Sequence, residues 1–528
     1  MKKLSSIFCF LIFQGFIFLG YSQQPTQEWV KRYTDTSAAQ WAASSIKMDS
    51  LGFIYVLGET QNDFGFLKYN SAGNLLFVAN YWPGGYDYGG GSYFDVTPNG
   101  DVYMTGLVET NFNEWMYTVK FNSNGAFQWG RLYGVVNKTP SDIKVDKLGN
   151  AIIVGAMTIK YNPNGDTLWT RQLGSNQKMA LDDSNNIYAT GSTGALGECL
   201  KYSPSGNLDW YTTFTIDSHP CEGLGINLDL LGNIYVMSES NVPFAAHNDA
   251  LLKMLNNGQV LWNRLITGII NGQQGGCEYS AGPVISYDGN SIYYITNCYN
   301  GTGGGGYSLA TIKYDAAGDS QWVQTYSGGV PATDNQPSSI KLDKYGNVYV
   351  CGGGVFQTTG YDFVTLRYNP TGIQQWVATY SGEITNGNDI VKDLFVDTNF
   401  AVYVTGVSPN TFNGKDAVTI KYDQPIGIIS NSNELPAKYT LCQNYPNPFN
   451  NSTIISYELP KRSEVQLKIF NSLGQLVKTL VNTEQDASYY TILLNTDDFA
   501  SGVYFYQLIV NSEQSTIYSQ TKKLVLIK

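Results

Sequence analysis

Charged residues and histidines are scarce in this sequence of 528 residues: Asp, Glu, Lys and Arg together make up 14 %, and there are 2 His. So little charge does not suit long solvated helices, whereas 39 Tyr and 55 Gly favour short strands joined by tight turns. The formal net charge is −11 and the Lys and Arg form no cluster. Because binding to a phosphate backbone requires clustered positive charge, a nucleic-acid partner is not expected.

The N-terminus lacks an apolar run long enough to span a membrane, which would need about 20 residues. Lys2 and Lys3 are instead followed by a mostly apolar run over 7–19 and by small residues up to Ser22. This order predicts a signal peptide over 1–22, cleaved after Ser22. We therefore expect an exported protein with no transmembrane segment in the mature chain.

Cysteines are few, and 6 of the 7 remain after cleavage because Cys9 lies in the signal peptide. Export permits disulfides. Cys277 and Cys298 flank a predicted hairpin at similar distances from its turn, so they are a candidate disulfide; Cys199 and Cys221 are a second pair to consider. No cysteines have the close double spacing of a zinc site. The sequence predicts no metal and no cofactor.

One sequence unit recurs eight times through the middle of the chain. Each copy has a Gly- or Asn-containing turn, a strand with a central aromatic or Ile, a Lys/Arg-Tyr strand, a second turn and a strand that carries Trp. The central positions, about 50 residues apart, are Tyr55, Tyr103, Ile152, Tyr188, Tyr235, Tyr293, Tyr349 and Tyr403. The basic positions are Lys68, Lys120, Lys160, Lys201, Lys253, Lys313, Arg367 and Lys421. The Trp positions are Trp29, Trp129, Trp169, Trp210, Trp262, Trp322 and Trp376, with Phe77 as the eighth.

Four short strands per unit form a small sheet whose two apolar faces are buried only if such sheets pack face to face around an axis. The repeat therefore predicts an all-β fold, an eight-bladed β-propeller, or seven-bladed if the short third unit is not a blade. The eighth unit ends after its third strand, at Tyr422, and the missing Trp strand is found at 27–33. We expect this N-terminal strand to complete the last blade and close the ring. The recurring aromatics are interpreted as core between blades.

These units resemble the seven-bladed-propeller-type repeats of bacterial surface proteins. The resemblance rests on Asp-x-x-Gly-Asn-x-Tyr-Val-x-Gly stretches, such as 343–352, paired with Lys-Tyr-Asn and Trp, and it covers about 27–424. It implies a fold and almost nothing about activity.

The irregular connections between strands are expected on one face of the propeller, where a ligand would bind. The most aromatic of them, a candidate stacking loop for a glycan or a protein, carries Tyr81, Trp82, Tyr86, Tyr88 and Tyr93 beside several glycines. Neither histidine, His219 or His247, lies near a nucleophile motif, and Gly-x-Ser-x-Gly is absent. No catalytic residue is predicted. A non-catalytic binding or adhesion scaffold is favoured, and a secreted carbohydrate-active enzyme, a polysaccharide hydrolase or lyase, is the alternative.

The repeat stops after Tyr422, and the predicted domains are a propeller over 23–424, a linker over 425–437 and a C-terminal domain over 438–528. About seven short strands in the last segment predict a small Ig-like β-sandwich. This segment resembles the type A C-terminal sorting domain of type IX secretion cargo. The residues that carry the resemblance include Tyr445, Pro446, Asn447, Pro448, Phe449, Gly502, Tyr504, Lys522 and Lys523. The resemblance implies that the type IX machinery is a partner, and that the protein crosses the periplasm and outer membrane to the cell surface or the medium.

Overall fold

Every helix or strand assigned in the described residues is a β-strand. The computed structural model describes residues 24–34, 41–59, 63–111, 113–134, 139–240, 248–266, 268–270, 273–275, 277–286, 289–299, 306–328, 335–356, 358–411, 414–424, 438–444, 447, 452–496, 499–512 and 515–526. The predicted signal peptide and linker lie outside these ranges. The chain divides into two compact units, Met1–Pro425 and Ile426–Lys528.

The first unit contains eight antiparallel sheets built on the same four-strand plan. The N-terminal strand is β1 (Thr26–Tyr33). Sheet 1 contains β2 Ala42–Met48, β3 Ile54–Glu59, β4 Phe64–Tyr69 and β5 Leu75–Tyr81. Sheet 2 contains β6 Tyr88–Val96, β7 Val102–Thr110, β8 Asn113–Phe121 and β9 Phe127–Tyr133. Sheet 3 contains β10 Pro140–Val145, β11 Ala151–Gly155, β12 Thr158–Tyr161 and β13 Thr167–Arg171. Sheet 4 contains β14 Ser175–Leu181, β15 Ile187–Thr193, β16 Leu196–Tyr202 and β17 Leu208–Phe214.

The remaining sheets of this unit follow the same plan. Sheet 5 contains β18 Cys221–Leu228, β19 Ile234–Ser240, β20 Asn248–Met254 and β21 Val260–Leu265, and a separate hairpin follows it, β22 Gly268–Ile270 and β23 Gln273–Gly275. Sheet 6 contains β24 Cys277–Ile285, β25 Ser291–Tyr299, β26 Tyr307–Asp315 and β27 Ser320–Tyr326. Sheet 7 contains β28 Gln336–Leu342, β29 Val348–Phe356, β30 Gly360–Tyr368 and β31 Gln374–Tyr380, and the short β32 Gly387–Asn388 pairs with β30. Sheet 8 contains β33 Ile390–Val396, β34 Val402–Pro409, β35 Lys415–Asp423 and β1.

Sheet 8 joins the two ends of the unit. Strand β1 pairs antiparallel with β35, and Gln27 lies opposite Tyr422 while Val30 lies opposite Ile420. The first strand of each sheet contacts the first strand of the next sheet, and β33 contacts β2, so these strands form a closed circuit. The short third sequence unit forms a four-stranded sheet like the others.

A repeated contact between neighbouring sheets explains the recurring Lys, Tyr, Trp and Gly. In sheet 2 the Lys120 ammonium lies 5.0 Å from the ring centre of Tyr103. Lys120 Nζ and Trp129 Nε1 both donate to the carbonyl of Pro163 in the next sheet, at 3.3 and 3.0 Å. The indole also covers Gly165, where a Cβ would lie 2.7 Å from the ring. The indole-to-turn hydrogen bond recurs at Trp29–Ser71, Trp169–Pro204, Trp210–Asn256, Trp262–Ala316 and Trp322–Pro370.

The Asp-x-x-Gly-Asn-x-Tyr pattern is a self-contained turn. Asp343 Oδ1 accepts the backbone N–H groups of Tyr345 and Asn347 at 2.8 and 3.0 Å, and Oδ2 accepts the Tyr349 hydroxyl at 3.0 Å. Gly346 has φ of 76°, which glycine adopts without strain. Burial, followed by the nearby Asp343 carboxylate, raises the pKa of Tyr349 well above its ordinary value. The turn aspartate thus ties the turn to the core strand of its own sheet.

The second unit contains two antiparallel sheets around one apolar core. Its strands are β36 Thr440–Leu441, β37 Ser452–Leu459, β38 Ser463–Asn471, β39 Leu476–Gln485, β40 Ser488–Asn495, β41 Gly502–Ser512 and β42 Ser515–Leu526. One sheet has the order β36-β37-β40 and the other β39-β38-β41-β42. Ile455, Leu467, Leu494 and Leu508 are fully buried between them. This agrees with the alternating strand pattern of the sequence, while the Ig-like topology stays a prediction.

Candidate functional site

The first strands of the eight sheets line a cavity of about 730 Å³, which we call the central channel. Each sheet contributes residues to its wall. The charged residues of the wall are Lys47, Asp95, Asp142, Lys144, Lys178, Lys341 and Asp393. They make four positive and three negative charges, so the channel is slightly positive in a chain of net charge −11. Sheets 5 and 6 supply an apolar sector instead, with Leu224, Ile226, Pro283 and Val284.

The strand register places these charges in two adjacent rows. Lys47, Asp95, Lys144 and Lys341 lie opposite the central repeat positions Tyr55, Tyr103, Ile152 and Tyr349. The second row lies two residues earlier on the first strands of the sheets. It consists of Asp142, Lys178 and Asp393, which lie opposite Val154, Thr190 and Thr405. Side chains two residues apart on a strand point to the same side, so both rows face the channel.

The three aspartates bind backbone N–H groups at the inner edge of the next sheet. Asp95 Oδ2 accepts from Val145, Asp142 Oδ2 from Met179 and Asp393 Oδ2 from Ile46, at 2.8, 3.2 and 3.2 Å. A first strand has no ladder partner on that edge, so these carboxylates satisfy donors that would otherwise be unpaired. The channel aspartates therefore have a structural task.

Two of the four lysines are paired with these aspartates. Lys47 Nζ lies 2.7 Å from Asp95 Oδ1, and Lys341 Nζ lies 3.7 Å from Asp393 Oδ1. Burial alone would raise the pKa of Asp95, but Lys47, Lys144 and the Val145 N–H reverse the direction and hold it below its usual value. Burial would likewise lower the pKa of Lys47, and the Asp95 carboxylate raises it above the usual value instead.

The other two lysines leave their charge open to the channel. Lys178 lies over the Tyr93 ring, 4.9 Å from its centre, and donates to the Ser141 carbonyl at 3.4 Å. Lys144 makes no ion pair within 4 Å among the described residues. The Lys47 ammonium lowers the pKa of Lys144, burial adds to that effect, and Asp142 and Asp95 oppose it. A negatively charged group would relieve this repulsion.

The structure does not bring the five aromatics of the candidate stacking loop together. Tyr81 stacks on Phe127 with ring centres 3.9 Å apart, and Tyr86 packs near Trp115 at 6.3 Å. Tyr93 lies in the central channel. The remaining two are Trp82, which is half-buried, and Tyr88, which is 44 % exposed. Tyr81 and Tyr86 are half-buried and pack against the core of sheets 1 and 2, and a stacking role for the loop stays a prediction.

Tyr81 also lines a second cavity, of about 620 Å³, between sheets 2 and 3. Phe127, Trp129, Arg131 and Pro163 are among its other lining residues. Trp129 and Pro163 belong to the contact between sheets described above, so this hollow is a by-product of packing between sheets.

The two disulfide predictions fare differently. Cys298 is disulfide-bonded, and Cys277 lies directly opposite it in the β24–β25 pair. Their bond to each other stays a prediction, because the Cys277 side chain is outside what the structure describes. Cys199 and Cys221 are buried free thiols, so the second pair is wrong. Both instead pack in the apolar core shared by sheets 4 and 5.

Within the described residues, neither histidine forms part of a candidate catalytic or metal site. His219 pairs with Ile216 in a tight turn, and its Nδ1 is buried. His247 lies outside the described ranges. No group of three or more His, Cys, Asp or Glu side chains in the described part of the chain is arranged to hold a metal ion.

In the second unit the start and the end of the sorting-domain pattern meet. Asn447 Oδ1 accepts the Val525 N–H at 2.8 Å, and Asn447 Nδ2 donates to the Lys523 carbonyl at 3.1 Å. Gln443 Nε2 donates to that same carbonyl at 2.8 Å. The segment before β37 is therefore fastened along β42, the last strand.

The other residues of the sorting-domain pattern that the structure describes lie on β41 and β42. Lys522 and Lys523 lie on β42 opposite Tyr506 and Phe505, and Tyr504 and Gly502 lie on the neighbouring β41 opposite Leu524 and Leu526. The Tyr504 hydroxyl donates to the Ala500 carbonyl at 2.9 Å. Tyr445, Pro446, Pro448 and Phe449 lie outside the described residues.

Residues 443–527 match the family of secretion system C-terminal sorting domains. The chain thus carries a C-terminal sorting domain of the type IX secretion system. Such a domain indicates export to the cell surface or the medium, and it implies interaction with the secretion machinery. Searching the described residues for a helix able to cross a membrane finds none.

No curated protein matches the chain. Among solved structures, a protein of unknown function from Bacteroides caccae is 14 % identical, with 46 % of this chain and 86 % of that chain covered and a TM-score of 0.30. The polysaccharide lyase Uly1 is 10 % identical, with 76 % and 100 % covered and a TM-score of 0.41. Drosophila Plexin A in complex with Semaphorin 1b is 6 % identical, with 76 % and 88 % covered and a TM-score of 0.40. These likenesses are too distant to bear on a ligand or an activity.

Proposed function

We propose that the protein is an exported, non-catalytic binding protein: an eight-bladed β-propeller, closed by its N-terminal strand, that a sorting domain delivers to the cell surface or the medium. The eight sheets, the closed circuit of first strands and the β1–β35 pair support the blade count. The proposed bounds are 1–22 for the signal peptide, 23–424 for the propeller and 438–528 for the sorting domain. A rigid ring without a recognised nucleophile motif suits binding better than chemistry.

The central channel is the proposed binding site, and its ligand is an acidic extracellular polymer that carries carboxylate or sulfate groups. The observation that carries this proposal is Lys144, whose ammonium lacks an ion-pair partner within 4 Å in the described part of the chain, while Lys47 and Lys341 have theirs. Lys178 adds a second charge that no carboxylate pairs within 4 Å in the described residues. A carboxylate or sulfate in the channel would gain a charge-assisted hydrogen bond from each ammonium group that it contacts.

Affinity electrophoresis of the mature protein through gels containing heparin, polygalacturonate or neutral dextran tests this proposal. We expect the two anionic polymers to retard the protein, less so at high salt, and dextran to leave it unaffected. Lys144→Met should weaken retention by roughly tenfold, or about 1.4 kcal/mol. Lys147→Met is the matched control, because Lys147 lies on the surface and pairs with Asp183. Equal retention of both variants, or no retention of the native protein, would overturn the channel as the site.

A secreted carbohydrate-active enzyme is the second candidate, and the contact between Tyr93 and Lys178 favours it. A phenol and an ammonium group side by side in a channel are groups that transfer protons in acid–base catalysis. Incubation with the same polymers distinguishes the two functions. New reducing ends or unsaturated products that disappear in Tyr93→Phe would establish the enzyme, whereas retention without product supports the binding protein.

A further inference from the structure

The loop over 381–389, which joins sheet 7 to sheet 8, brings two acidic residues side by side. Its strand β32 runs parallel to the start of β30, with Gly387 beside Gly360 and Asn388 beside Tyr361. The Asp389 N–H donates to the Tyr361 carbonyl at 2.7 Å. Asp362 and Asp389 are the next residues on the two strands, so they are neighbours across this short parallel pair.

Both carboxyl groups are buried, and each has one oxygen without a hydrogen-bond partner in the part of the chain that the structure describes. Asp362 is 3 % exposed and Asp389 is fully buried. Their second oxygens are used, since Asp362 Oδ2 accepts from Thr359 and Asp389 Oδ2 accepts the Gly382 N–H. Among the residues that the structure describes, no group forms a hydrogen bond with the Oδ1 atom of either residue.

A third buried oxygen, the Ser408 hydroxyl, lies near Asp389. Ser408, near the end of β34, is fully buried, and its hydroxyl has no hydrogen-bond partner within the described ranges either. A Cβ built on Gly382 would collide with both Ser408 Oγ and Asp389 Oδ1, so these two oxygens border one small gap beside that glycine. An unpaired buried polar atom costs free energy, so Ser408 Oγ and Asp389 Oδ1 at one gap, with the Asp362 carboxyl group on the neighbouring strand, indicate a missing partner.

The charges around the gap point to a cation. The neighbouring cationic side chain, Arg32, is already bound to Asp416 at 3.0 Å and to the Pro409 carbonyl at 2.9 Å. Two adjacent buried carboxylates are stable only if a proton or a positive ion lies between them.

We infer that Asp362, Asp389 and Ser408 hold a calcium ion that fastens the 381–389 loop to sheets 7 and 8. Carboxylate and hydroxyl oxygens are hard ligands, and Ca²⁺ completes an irregular oxygen shell with backbone carbonyls and water more readily than Mg²⁺ does. Zinc is disfavoured because no nitrogen or sulfur ligand takes part.

Calorimetric titration and thermal melting of the EDTA-treated mature protein test the inference, with CaCl₂ as the probe and MgCl₂ at the same ionic strength as the comparison. We expect one Ca²⁺ per chain, with a Kd on the order of 10⁻⁴ to 10⁻³ M as in extracellular modules, and a rise in Tm with Ca²⁺ that Mg²⁺ does not reproduce. Asp389→Asn and Asp362→Asn should remove the response. Asp416→Asn is the matched control, since it removes a buried carboxylate that binds Arg32 and should keep the Ca²⁺ response.

Ser408→Ala serves as a milder variant if the aspartate variants fail to fold, and we expect it to weaken Ca²⁺ binding severalfold. Absence of Ca²⁺ binding by the native protein, or an unchanged response in the folded Asp362, Asp389 and Ser408 variants, would overturn the inference. A third result would also overturn it. If the Tm does not change with Ca²⁺ but falls as the pH rises above the ordinary carboxyl pKa, the two carboxylates share a proton instead of a cation.

Discussion

The indole of Trp129 lies flat against Gly165 of the neighbouring sheet, so closely that a Cβ on Gly165 would come within 2.7 Å of the ring. Gly165 has φ of 84°, a conformation in which side chains are disfavoured. Gly165→Ala therefore meets both backbone strain and a steric clash. Gly52, with φ of 82° and no atom within 4 Å of a built Cβ, carries only the strain.

We expect Gly165→Ala to destabilise the protein by about 1–3 kcal/mol more than Gly52→Ala, the range for overpacking a close contact. Urea unfolding followed by tryptophan fluorescence measures the difference. Equal losses in the two variants would mean that the indole does not hold the two sheets together.

Removal of residues 23–34 should open the ring. It deletes β1 and leaves β35 with an unpaired edge beside the buried core of sheet 8. We expect a lower Tm and self-association detected by light scattering. A synthetic peptide of residues 23–34 should restore both properties when added, whereas a scrambled peptide should not. Unchanged melting after the deletion would contradict closure by β1.

The channel pair Lys47–Asp95 predicts a defined pH dependence. Lys47, Lys144 and the Val145 N–H hold the pKa of Asp95 below its unfolded value of about 3.9, so its stabilising contribution is present above that pH and is lost as the pH falls through the lower folded pKa. Asp95→Asn should cost on the order of 2 kcal/mol at neutral pH, as for hydrogen bonds to charged groups, and much less in acid.

Chemical unfolding from pH 7 down to the acid limit, in steps, measures this contribution. Asp183→Asn is the control, since Asp183 makes an exposed pair with Lys147 that contributes little. A penalty for Asp95→Asn that does not change with pH would show that the carboxylate charge is not responsible.

Much of the fold is predictable from the repeat, because the Tyr, Lys and Trp positions make similar contacts in most of the sheets. Trp322 and Lys313, for example, both donate to the Pro370 carbonyl. The central channel was not predicted, since its charges lie on first strands that share little sequence. Ser45-Ile-Lys47, Asp142-Ile-Lys144 and Ser339-Ile-Lys341 do repeat, and this was the available signal.

Other features depend on chain segments that no local pattern connects. Asp362 and Asp389 meet only because β32 folds back on β30. Tyr93 was grouped with the aromatics of its loop, but the register of β6 turns it into the channel. In both cases the position of the side chain depends on the path by which a loop returns to a sheet. Residue types and their spacing in the sequence do not specify that path.

Loss of the last strands should abolish sorting while the first unit still folds. Deletion of Tyr504 to Lys528 removes β42 and nearly all of β41, so β38 and the segment at Asn447 lose their partners. In a host with type IX machinery we expect the truncated protein to accumulate in the periplasm, measured by immunoblotting of cell fractions. Asn447→Ala should reduce export in part, and the exposed-site variant Lys478→Ala should not. Efficient surface delivery of the truncated protein would show that the second unit is dispensable for sorting.

The pairing of β1 with β35 also fixes the order in which the first unit is completed. Seven of its sheets are built from consecutive strands and need only nearby chain, but Val30 meets Ile420 only after almost all of the unit has been made. A chain that emerges N-terminus first must therefore keep its leading strand unoccupied until the trailing strand arrives, and contacts so distant in sequence form slowly. During that interval the unit has two exposed strand edges, which makes the delay between synthesis and closure the period of greatest exposure to aggregation and proteolysis.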